Sequence, residues 1–162
     1  MKRSTFVFVF ALAIALGFAS CGNDPKDDVF AGEYDLTIVT DSLGVDGEWL
    51  GKDMMAVAGR EEPDRYGTLT ITPTDKKGEY SFYGVVEVSG QQVVYYNSKA
   101  VEDGQGRLIV EPSTEISPAD YKLNYVYGAI EEGNPLTFRV EMHVQIGNMD
   151  CGYVYSNIAT KK

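Results

Sequence analysis

The chain predicts an all-β protein, an antiparallel meander of eight or nine strands, and three observations carry that prediction. Apolar residues recur at every second position in run after run, glycine-rich turn signals separate those runs, and no stretch beyond the amino-terminal segment has the period of an amphipathic helix. The clearest run is 136–146, where Leu136, Phe138, Val140, Met142, Val144 and Ile146 face one way and Thr137, Arg139, Glu141, His143 and Gln145 the other. One face is core and the other is wet. Sequential hairpins of this kind close into an up-and-down barrel, which removes the strand edges that invite aggregation. Strand count and turn spacing alone also fit a two-sheet β-sandwich.

The chain opens with Lys2 and Arg3, followed by a mostly apolar segment from Phe6 to Leu16 that is short for a membrane span and ends in small residues. This is the pattern of a secretory signal. Phe18-Ala19-Ser20-Cys21 resembles the lipobox of bacterial lipoproteins, with Phe18 where Leu is usual. The resemblance implies cleavage before Cys21 and acylation of both its sulfur and its new amino group. Each buried methylene adds about 0.8 kcal/mol, so such an anchor holds firmly. An ordinary signal peptidase site followed by a chance cysteine is the competing reading. Next, Lys26-Asp27-Asp28 resembles the acidic export signal of Bacteroidetes-type surface lipoproteins, which implies an outer-membrane protein facing outward. Read as a plain polar tether, the same residues leave the periplasmic leaflet open. The chain thus divides into a signal at 1–20, an acylated tether at 21–29 and one domain at 30–162. The 142 residues left after cleavage suit a single core.

Within the domain, Tyr34, Leu36 and Ile38 alternate with polar residues and give a first strand over 32–40. From Asp41 to Asp64 the alternation fails among Gly44, Gly47, Gly51 and Gly59, which reads as a long loop, a candidate lid, with at most one short strand at 53–58. Leu69 and Ile71 alternate with threonines, and Tyr80, Phe82, Val86 and Val88 share a face of a strand at 79–88. Further runs lie at 92–101, 106–111, 121–130, 136–146 and 151–159, with one helical turn allowed at Ser117–Tyr121. Lys77-Gly78, Ser89-Gly90, Asp103-Gly104-Gln105-Gly106 and Glu132-Gly133-Asn134-Pro135 supply the tight connections.

Gly32-Glu33-Tyr34 resembles the Gly-x-Trp element of lipocalin and calycin-like barrels, with Tyr for Trp, and is likewise followed by a long first loop. Ala119-Asp120-Tyr121, with Tyr125 beyond it, resembles their Thr-Asp-Tyr turn, with Ala for Thr. The resemblance implies a lipocalin-like barrel and carries no functional residues, because function is not fixed by fold.

Charge narrows the partners. Lys and Arg number 14 against 24 Asp and Glu, a net charge of −10, and the leader holds two of the basic residues, so the mature chain stands at −12. Such a chain repels nucleic acid and anionic lipid, and membrane attachment falls to the acyl anchor. With Cys21 lipidated, Cys151 has no disulfide partner and reads as a small buried side chain.

Catalytic signals are weak. His143 is the only histidine; Glu141 beside it suggests an oriented base, but its place on a polar strand face reads as solvated surface. A zinc site would need carboxylates almost throughout, and Asp41 to Gly47 lacks the ligand spacing of a calcium loop. No phosphate loop, nucleophile elbow or paired-cysteine motif occurs, so no catalytic residue, metal or cofactor is assigned. Asp41-Ser42-Leu43 resembles the acceptor of Bacteroidetes-type O-glycosylation, which implies a modified Ser42 on an exposed loop.

The aromatic residues are the stronger lead. Tyr80, Phe82, Tyr96, Tyr125 and Tyr127, sharing an inner face with Phe138 and Met142, would line an apolar cavity with hydroxyl tips, and Trp49 would sit on the long loop at its mouth. The same side chains packed on one another would instead fill the barrel. The expectation is a surface lipoprotein that binds a small apolar or aromatic ligand, or a glycan fragment. A filled interaction or inhibitor module contacting an envelope or host protein is the alternative.

Overall fold

The structure is a computed structural model that describes residues 28–46, 48–50, 65–113 and 121–162. The described residues contain no helix. Ten strands, β1 (Gly32–Val45), β2 (Glu48–Leu50), β3 (Arg65–Pro73), β4 (Glu79–Val88), β5 (Gln91–Glu102), β6 (Arg107–Val110), β7 (Tyr121–Val126), β8 (Ala129–Glu131), β9 (Leu136–Ile146) and β10 (Met149–Lys161), form one sheet. Nine of them follow the order β7-β9-β10-β1-β3-β4-β5-β6-β8, all antiparallel, and β2 folds back on the end of β1. The sheet is continuous and curls into a nearly closed barrel, the lipocalin-like layout expected, and not into two packed sheets.

Closure comes from a departure from the simple meander. The expected single run 121–130 is broken at Tyr127 and Gly128, the latter at φ 66°. Its first part pairs with β9 and its second with β6, so the chain itself steps from one sheet edge to the other. Two buried polar side chains complete the seam. Ser113 pairs with Asn124 through backbone hydrogen bonds of 2.7 and 3.0 Å, the Ser113 hydroxyl donates to the Asn97 carbonyl at 2.9 Å, and it accepts from the Asn97 N–H at 3.1 Å. Asn124 Nδ2 donates to the Tyr95 carbonyl.

β1 is longer than its alternation suggests. A register shift between Thr40 and Ser42 leaves Asp41 as a bulge, and pairing with β10 resumes to Val45. The stretch expected to begin a long loop at Asp41 is therefore strand, because the bulge interrupts the period of two without ending the ladder. The short strand expected at 53–58 lies outside the described residues, as do residues 117–120 of the expected helical turn.

The barrel has two unlike ends. At the base, Phe30 is fully buried, its carbonyl accepts the Tyr34 hydroxyl at 2.6 Å, and its ring meets Tyr80 edge-on at 6.3 Å. Asp28 Oδ1 accepts from the Phe30 and Ala31 N–H groups at 3.2 and 3.0 Å, so the last residue of the expected export signal also shapes the turn that seats this plug. Lys161 pairs with Tyr34, which brings the end of β10 to the base as well. The opposite end, the rim, carries the β9–β10 turn and the Ser89-Gly90 turn, where φ values of 52° and 75° give a hairpin whose twist matches its strands.

Candidate functional site

Inside the barrel, Tyr80, Phe82, Tyr96, Phe138 and Met142 are buried together, as their alternation predicts. Their rings pack on one another: Phe82 meets Tyr96 edge-on at 5.3 Å and Phe138 at 5.7 Å. The hydroxyls of Tyr80 and Tyr96 are committed, donating to Glu102 at 2.6 Å and to the Glu111 carbonyl at 3.2 Å. Phe138 and Met142 stand opposite Asn157 and Tyr153 of β10, so these five extend from the base toward the rim.

Tyr125 and Tyr127 lie elsewhere. Tyr125 stands opposite Glu141 and both tyrosines are on the outer face, with Asn124 and Val126 turned inward instead. Side-chain period is two, so one step of parity exchanges the faces. Trp49 stands opposite Gly44 on β2, which puts its backbone at the rim, while its side chain is outside the description.

Toward the rim the interior also holds a second set beside them. Tyr153, Tyr155 and Asn157 alternate on the inner face of β10, and Arg65, opposite Ile38, enters from the start of β3. A register shift in β5 makes Tyr95 a bulge residue and buries it beside Tyr96. Tyr153 and Tyr155 stack with planes 3° apart at 6.0 Å, Tyr95 meets Tyr155 edge-on at 6.2 Å, and the Arg65 guanidinium lies 5.4 Å from the Tyr155 centroid. Asn157 Nδ2 donates to the Tyr155 carbonyl at 3.2 Å.

Two atoms of this set are buried without a hydrogen-bond partner, the Tyr95 hydroxyl and Asn157 Oδ1. Burial drives the Tyr95 hydroxyl pKa strongly upward, while Asn157 and Arg65 beside it pull the other way without prevailing. Asn157 thus sits next to this hydroxyl but makes no well-formed bond to it. Each unpaired buried group costs about 1–3 kcal/mol, which a molecule able to pair with it recovers.

Compared with known proteins, the chain matches no family model and no curated protein.

A second cluster occupies the outer face. Glu141, expected on a wet surface, is buried, with its side chain 7 % exposed. Tyr127 donates its hydroxyl to Glu141 Oε2, and His143 Nε2 meets Oε1 at 2.6 Å. The His143 ring lies nearly parallel to Tyr125 at 6.2 Å, and its Nδ1 is 3.6 Å from Asp150 Oδ1. Burial, and then the neighbouring Glu141 carboxylate, push the Tyr125 hydroxyl up to about 12. The solvated surface expected for His143 is only half-covered, while the outward Tyr125 of β7 and Tyr127 just beyond it roof the Glu141 carboxylate. The cluster fastens β7 to β9. No group of three or more potential metal ligands occurs among the described residues.

Ser42, expected on an exposed loop, is half-buried within β1 opposite Val154, and its neighbour Asp41 accepts from the Ser156 hydroxyl and pairs with Arg139 at 3.3 Å. Cys151 is buried and free. Cys21, Lys26 and Asp27 lie outside the described residues. Two open grooves of about 340 and 410 Å³ mark the outer face, the first beside the exposed Tyr66 and Tyr83, the second around Ser98, Lys99 and Glu111.

The residues that form the rim set differ from those singled out in sequence. A polar Asn157 at an inward position after Tyr153 and Tyr155 is the signal that marks them. Arg65 carries no such signal, because the recognisable alternation of its strand starts only at Leu69.

Proposed function

We propose that this protein is a lipid-anchored lipoprotein of the outer membrane, facing the cell surface, that binds a small apolar or aromatic molecule, or a glycan fragment with an apolar ring face, in the rim half of its barrel. It holds this molecule without transforming it. The observation that carries the reading is the pair of buried, unpaired polar atoms, Tyr95 Oη and Asn157 Oδ1, set among tyrosine rings and an inward guanidinium. Apolar walls with a few convergent polar groups are the usual make-up of a small-molecule site.

The anchor fits this use of the rim. Six residues lie between Cys21 and Asp28, seven steps that reach at most about 25 Å, and the 14 residues of β1 then run roughly 45 Å from base to rim. An acyl group on Cys21 holds the base toward the membrane and turns the rim away from it. Cys21→Ala is expected to move the protein from the membrane to the soluble fraction; a variant that stays in the membrane after signal cleavage rules the lipid anchor out.

A thermal-shift screen of the full chain against sugars, bile acids and fatty acids tests the binding. A ligand at about 100 times its dissociation constant adds about 2.7 kcal/mol and raises the melting temperature visibly. Asn157→Leu and Tyr155→Leu are expected to abolish the shift. If no compound shifts the wild type, or if both variants keep the shift, the rim site is wrong and the filled interaction module takes its place.

A further inference from the structure

Arg65 is an inward charge opposite Ile38, with no carboxylate paired to it among the described residues. The ion pairs of the described residues involve Lys76, Lys99, Arg107, Arg139, His143 and Lys162, and Arg65 is in none of them. Its guanidinium rests on the face of Tyr155, a ring only 1 % exposed. A cation taken partly out of water with an aromatic face as its contact retains most of its fork of N–H donors for another acceptor. The desolvation that makes this position costly also strengthens any charge-assisted bond formed there. Long-range attraction is not the source of such binding, because the acidic surface repels anions and ions screen it within about 8 Å at physiological salt.

We propose that the molecule held at the rim is an anion, with a flat apolar or aromatic body against Tyr155 and Tyr95 and one carboxylate or sulfonate group on the Arg65 guanidinium. This rests on the rim-site reading above and adds the charge of the ligand. Asn157 Oδ1 then selects for a donor, a hydroxyl or N–H, on the body of the molecule, since a carbonyl oxygen only accepts.

Calorimetric titration of the full chain with 2-naphthoate and with its neutral methyl ester separates charge from shape. Naphthoate is expected to bind about tenfold more tightly or better, as a charge-assisted bond requires. Arg65→Gln should bring the two affinities level while the ester still binds, and Arg65→Lys, which keeps the charge, should retain part of the preference. Equal affinities in the wild type, or a preference that survives Arg65→Gln, overturn the anion proposal but leave the rim site standing. Failure of both compounds to bind the wild type removes the rim site and this proposal with it.

Discussion

Gly67 is the residue at which a single hydrogen atom decides how two strands pack. A methyl group placed there would stand 2.1 Å from the Val85 carbonyl oxygen, a backbone atom that cannot turn aside. At Gly84 the nearest atom to the same addition is Tyr96 Cβ at 3.5 Å, an ordinary contact. Gly67→Ala is therefore expected to lose about 2 kcal/mol or more by overpacking, and Gly84→Ala to change stability little, both measured by urea unfolding. Equal effects would show that the close approach at Gly67 is absent in solution. The contrast was not legible in sequence, where both are glycines within apolar strands. Buried aromatics were: Tyr80, Phe82, Tyr96 and Phe138 each followed from period-two alternation, which reports the face a side chain takes but not whether the space behind it is filled.

Among the strands, legibility ended where the ladder changes partner or slips. In Leu123, Asn124, Tyr125, Val126 and Tyr127 the larger apolar set is the odd-numbered one, so hydrophobicity alone turns Tyr125 and Tyr127 inward. The reverse occurs because Asn124 is needed at the seam, where its amide holds the Tyr95 carbonyl, and because the outward tyrosines gain Glu141 as a partner. Asp41 misled for a related reason, a bulge reading as a strand end. The seam itself rests on few bonds. Ser113→Ala removes the hydroxyl that both donates to and accepts from the Asn97 backbone, a loss of about 1 kcal/mol for each part-buried hydrogen bond. Amide hydrogen exchange should quicken first in β7 and at Asn97, with β1 and β10 still protected; uniform acceleration across the sheet would mean the seam is no weaker than the rest.

For the molecule as a whole, the all-β class and most strand positions were written in alternation and turns; one closed sheet rather than two packed ones was not, nor was the location of the site, which depends on which inward residues remain unpaired. The tyrosines also set the response of the whole barrel to alkali. Burial foremost raises the pKa of Tyr34, Tyr80, Tyr95 and Tyr96, and Tyr125 is pushed up to about 12 by burial and Glu141. A folded-state value above the unfolded one stabilises fully below the unfolded value of about 10 and loses that contribution as pH climbs through the folded value. Unfolding stability is thus expected to hold level up to about pH 10, as far as these tyrosines govern it, and to fall steeply above, with tyrosinate absorbance rising in step with loss of structure. Ionisation of Tyr80, Tyr95 or Tyr96 themselves, resolved from the exposed tyrosines by residue-specific NMR, near pH 10 in a barrel that remains folded would contradict the burial of these hydroxyls.

The pairing of Tyr34 with Lys161, reinforced by the Lys162 N–H donating to the Glu33 carbonyl at 3.0 Å, sets the entry and exit of the barrel side by side. Any polypeptide joined before Asp28 or after Lys162 must therefore emerge from the same pole. A purification tag or fluorescent protein added at the carboxyl end would crowd the residues before Asp28 while sparing the rim, and a short peptide linking the two ends would permit new ends to be opened at Ser89-Gly90 with every strand pairing kept.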